Sequence, residues 1–107
     1  MKFKPTVFSV EINGEEYKFA AMTQRDVERL VEQEKDLDPK TEEGQKALKR
    51  INIETLANAM KKAGAVVTAD EIAEDMPLPV FKSLYSAFLT AQGIKLEAKS
   101  TGEVPLS

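Results

Sequence analysis

Carboxylates are the most plentiful side chains in this sequence that could do chemistry, and they crowd together. Asp26, Glu28, Glu32, Glu34, Asp36, Asp38, Glu42 and Glu43 all fall within residues 24–44. A carboxylate pair catalyses proton transfer only when a water-poor cleft drives the two pKa values apart. These acids instead sit on expected helix surfaces or in a polar loop. The chain has no His, the commonest general base near neutral pH, and no Cys, which excludes disulfides, thiolate catalysis and Cys-based metal sites. No residue is therefore assigned a catalytic, cofactor-binding or metal-binding role, and a non-enzymatic protein without cofactors is expected.

Two weaker patterns need weighing. Asp36-Leu37-Asp38 followed by Glu42-Glu43-Gly44 has some likeness to a calcium loop, but Lys40 stands in the third ligand slot and Gly44 is out of place. Lys46, Lys49, Arg50, Lys61 and Lys62 form a basic set with no aromatic residue between them, in a chain of net charge −3. Nucleic acid is not an expected partner. The charges are segregated, with eight acids against four bases in residues 24–44, a net −4, and five bases against one acid in residues 45–64, a net +4. Two neighbouring helices with complementary solvated faces account for this, and polar pairing between subunits of a homo-oligomer is the alternative.

The apolar stripe Phe81, Leu84, Tyr85, Phe88 reads as core. Leu89 lies about 100° around the helix from Phe88, at the edge of that face. With Met76 and Leu78 in the preceding segment it is the candidate partner-binding surface, since adaptable apolar side chains at a surface suit protein contacts.

Stepping from residues to elements, residues 6–20 alternate in period two on both sides of Asn13-Gly14, the strongest short-range hairpin signal. Val10, Ile12, Tyr17 and Phe19 are expected on its buried face. Thr23 is an N-cap for a helix over about 24–35 with a narrow stripe of Val27, Leu30 and Val31. An acidic loop containing Pro39 is expected to be mobile. A helix over about 43–63 buries Leu48, Ile51, Leu56, Ala59, Met60 and Ala63, with Gly64 as its left-handed stop. Thr68-Ala69-Asp70-Glu71 is a capping box opening a helix over 69–75, and Met76-Pro77-Leu78-Pro79 leads into the last helix, 79–92.

These elements predict one α+β domain over 1–93, mainly α, with an N-terminal hairpin packed on three to four helices. Residues 94–107 are polar and read as a flexible tail. The first residues lack the apolar stretch of a secretory signal, and no run of about 18 apolar residues suggests a membrane span.

The order of these signals resembles the tail assembly chaperones of long-tailed bacteriophages and prophages. One stretch carrying the resemblance is Val10-Glu11-Ile12-Asn13-Gly14-Glu15-Glu16-Tyr17-Lys18-Phe19 with Met22-Thr23 and Asp26. The other runs from Leu56-Ala57-Asn58-Ala59-Met60-Lys61-Lys62-Ala63-Gly64 through Val67-Thr68-Ala69-Asp70-Glu71-Ile72 and Met76-Pro77-Leu78-Pro79 to Gly93. The resemblance implies a small helical protein of the host bacterial cytoplasm that binds the tape measure protein, with the tail tube protein as a second candidate partner, and is absent from the mature virion. In such families a longer frameshifted product is common, and the polar tail is compatible with a short form. The alternative is a structural phage component, such as a head–tail connector or minor tail protein.

Overall fold

The Asn13-Gly14 dipeptide sets the first element. In the computed structural model, which describes Lys4 and residues 6–93, Asn13 takes φ 55° and Gly14 φ 83°. Two consecutive left-handed residues make a type I′ turn, whose twist matches that of the strands it joins. Strands β1 (Val7–Ile12) and β2 (Glu15–Ala20) pair antiparallel, with Val10 opposite Tyr17 and Phe8 opposite Phe19. Directly opposed residues share a face, so Phe8 joins the four residues expected there. That face lies on the helices, with Phe19 1% exposed.

Four helices follow: α1 (Gln24–Glu34), α2 (Glu42–Lys62), α3 (Ala69–Asp75) and α4 (Leu78–Ala91). The chain is α+β and mainly α, as its pattern predicts, and no helix end departs from the expected span by more than one residue. The expected tail, 94–107, lies outside the described residues.

Local chemistry accounts for the helix boundaries. Thr23 and Thr68 each accept a hydrogen bond from the third helical N–H, of Asp26 and Glu71, while those carboxylates accept from the threonine N–H groups. Each cap thus satisfies two N–H groups that a helix start leaves without partners. At the end of α2, Gly64 N–H donates to the Lys61 carbonyl and Ala65 N–H to that of Met60, the paired bonds of a Schellman stop. Pro77 caps α4, and Pro79 falls in its first turn, where no N–H is needed.

The core forms where the sheet, the second half of α2, α3 and α4 converge. Phe19, Leu56, Leu84 and Phe88 are its largest fully enclosed side chains, and Phe19 meets Phe88 edge-on with ring centroids 5.4 Å apart. The buried face of α2 is Ile53, Leu56, Ala57, Ala59 and Met60. This corrects the expected face: Ile53 and Ala57 were missing from it, and Leu48, Ile51 and Ala63 are only half-buried. Coverage is the reason for Leu48 and Ile51, while Ala63 is the C-cap, past the last helical residue. A helix of 21 residues is about 31 Å long, and the core closes over only its second half.

The acidic loop between α1 and α2 is tied to the helix that follows. Thr41 Oγ1 accepts from Gly44 N–H at 2.9 Å and donates to the Asp38 carbonyl at 3.0 Å, while Asp38 Oδ1 accepts from Lys40 N–H and the Pro39 carbonyl from Gln45 Nε2. Gly44 is buried beneath this loop, and a Cβ there would lie 1.8 Å from the Asp38 carbonyl oxygen.

Candidate interaction surfaces

Along α1 every third or fourth position alternates between cover and exposure in a simple way. Asp26, Leu30 and Glu34, an i, i+4, i+8 row, are half-buried, and every other residue of the helix is exposed. The helix has no buried residue at all. At 100° per residue, Val27 lies about 60° from Leu30, at the edge of that row beside Glu34, and Val31 about 100°, further round the same flank. Val27 is 37% exposed and Val31 61%. The stripe that periodicity assigns to the core is thus split, with Leu30 turned inward, Val27 at the edge and Val31 exposed.

Polar ties hold α1 in this orientation. The Asp26 carboxylate accepts from Lys62 Nζ at 2.8 Å. Burial pushes its pKa up, but the hydrogen bonds from Lys62 and from the Thr23 backbone and hydroxyl outweigh this and hold it below the ordinary value. Gln92 Oε1 accepts from Met22 N–H at 2.7 Å, anchoring the start of α1 to the end of α4, while Gln92 Nε2 is buried without a partner among the described residues. Burial raises the pKa of Glu34, and it is also the main reason that the Tyr85 phenol is pushed up to about 12, with the Glu34 carboxylate adding to it. Tyr85 donates to Asn52 Oδ1 at 2.9 Å.

Between α1 and α2 runs an open groove of about 340 Å³, floored by Ala20, Ala59 and Leu30 and edged by Arg29, Glu54 and Lys61. Polar and charged side chains, among them Asn58, Gln33 and the paired Asp26 and Lys62, share its lining with these apolar ones. Among the described residues no three His, Cys, Asp or Glu side chains are grouped to hold a metal ion. Asp38, one of the residues weighed as a cation ligand, spends its carboxylate on the Lys40 N–H.

The segregated charges meet only in part. Lys62 pairs with Asp26 across α1 and α2, and Arg50 bridges Glu54 and Asp70 at 3.0 Å each. Of the eight acids in residues 24–44, Asp26 and Glu32 have a basic partner among the described residues, the latter being Lys35. Of the rest, Glu34 is half-buried and the other five are exposed, so most of the complementarity between the two segments is not used within the described residues.

Met76, Leu78 and Leu89, chosen from the sequence, are not brought together. Leu78 is 53% exposed at the start of α4, whereas Met76 and Leu89 are half-buried against the core. Eleven residues of helix put Leu78 and Leu89 about 16 Å apart along the axis. The exposed valines of α1 were missed because their helical spacing is that of core residues. What signals otherwise is the pair Asp26 and Glu34, whose carboxylates flank Leu30 at helical spacing and occupy the row that faces α2.

No helix is long and apolar enough to cross a membrane among the described residues. Comparison with protein-family models, curated proteins and solved structures finds no match.

Proposed function

We propose that this chain is a tail assembly chaperone of a long-tailed bacteriophage or prophage, a non-enzymatic protein that binds the tape measure protein in the host cytoplasm and assists tail tube assembly. The observation that carries the reading is a set of exposed apolar side chains on an acidic chain. Val27, Val31 and Leu78 are exposed on a chain with net charge −3. A long, helical, partly apolar client needs many copies of a small acidic binder of this kind, and such binding requires no chemistry. The hairpin, the two-bond stop of α2, the capping box of α3 and the proline-led start of α4 lie in the stretches that resemble the family, which supports the reading at the level of architecture.

The test is co-expression with a tape measure protein from the genome that encodes this chain, followed by co-purification, and mass spectrometry of purified virions. Co-purification with absence from virions is the expected outcome. Stoichiometric recovery from virions would instead identify a structural component, and failure to co-purify would remove the proposed client.

A further inference from the structure

We propose that the exposed flank of α1 that carries Val27 and Val31 is a docking surface for a basic amphipathic helix of a partner protein. This rests on the binding role proposed above and narrows it to one face and one chemistry.

Two features of the same helix carry the argument. The first is apolar. Val27 and Val31 are four residues apart, hence on one line along the helix, and both are exposed while Leu30 turns toward α2. An i, i+4 apolar pair on a helix is the spacing that a second helix packs against. The second is electrostatic. The last turn of α1 holds no basic residue, and Glu32 and Glu34 stand in it, with Asp36 and Asp38 just beyond. Carboxylates there add to the negative end of the helix dipole instead of offsetting it. Lys35, the nearest cation, is committed to Glu32 at 2.9 Å. Val31 therefore sits beside a negative end that the described residues neutralise only at Glu32, with Glu28 one helical turn before Glu32 on the same side. An apolar ridge flanked by Lys or Arg on the partner satisfies both features, and an acidic helix of the same apolar pattern is repelled.

The full chain is to be titrated with two synthetic amphipathic peptides of identical Leu spacing, one flanked by Lys and the other by Glu. The Lys peptide is expected to bind, in a salt-sensitive way, and the Glu peptide not to. Val27→Ser/Val31→Ser should weaken Lys-peptide binding by about tenfold or more, and Glu28→Gln/Glu32→Gln should weaken it and flatten its salt dependence, with thermal unfolding little changed in both. Absence of Lys-peptide binding, equal binding of both peptides, or undiminished binding to the valine variant overturns the proposal. So does concentration-dependent self-association that the valine variant abolishes, since a second copy then occupies the face. If tape measure co-purification survives in the valine variant, the chaperone reading stands and this surface falls. If wild-type chain binds the Lys peptide but not the tape measure protein, the surface stands and the client is wrong.

Discussion

At Gly44 two effects of opposite sign compete. Replacing a glycine in a helix by alanine ordinarily stabilises it by about 1 kcal/mol, because glycine loses more backbone freedom on folding. Here the new Cβ would lie 1.8 Å from the Asp38 carbonyl oxygen and 2.9 Å from Thr41 Oγ1, the hydroxyl that caps α2. Backbone must move, and the cap moves with it. Overpacking costs about 1–3 kcal/mol and loss of a cap about 1 kcal/mol, so Gly44→Ala is expected to lower the melting temperature. A rise would show that the loop yields freely and that only propensity matters at this position. No sequence rule could have flagged this glycine: what makes it necessary is the return of the Asp38 backbone over the first turn of the helix, a contact made by the loop's path and not by residue type.

At the scale of elements, α1 depends on Asp26 more than on any apolar side chain. That carboxylate closes the capping box with Thr23 and pairs with Lys62 of α2. Because these bonds hold its folded pKa below the ordinary 3.8, the folded state binds fewer protons than the unfolded chain as pH falls through that range. The stabilisation is therefore fully present above about pH 4 and is lost as pH drops through the lower folded value. Asp26→Asn is expected to cost about 1–2 kcal/mol at neutral pH and to remove this component from the acid limb of a pH-melting profile; an unchanged acid limb would place it elsewhere. Much at this scale was legible in the sequence. Asn13-Gly14, Thr68 to Glu71 and Gly64 announced a turn, a start and a stop because each works through groups a few residues apart. The buried faces of α1 and α2 were less legible. Periodicity shows that a helix has an apolar side, but which side meets a neighbour, and over what length, is set by the neighbours. Val31 and Ile53 are both aliphatic residues at helical spacing, and only the position of the sheet and α4 separates them.

For the whole molecule, the decisive contact joins the two ends of the described chain. Phe19 in β2 and Phe88 in α4 meet edge to face, with the Phe8 ring tilted against Phe19 at a 5.9 Å centroid separation. Aromatic pairs in this geometry contribute about 0.5–1.5 kcal/mol beyond the area they bury. Phe19→Leu and Phe88→Leu, measured singly and together by chemical denaturation, should thus show a coupling of about that size, with the double variant less destabilised than the sum. Strict additivity would mean that hairpin and last helix are joined by burial alone. Met76, Leu78 and Leu89, spread along α4 and its approach, are less informative about binding at this scale than they looked in the sequence, because two of them help to close the same core. The absence of any buried residue in α1 has a further consequence. A segment secured by a half-buried leucine, an ion pair and a capping box has fewer contacts to lose by opening than the helices that supply the core. The amides of α1 are therefore expected to exchange with solvent sooner than those of α2 and α4; equal protection in native-state hydrogen exchange would show that the whole described chain opens as one unit. A partner seated on α1 is expected to raise that protection, because part of its binding free energy goes into keeping the helix closed.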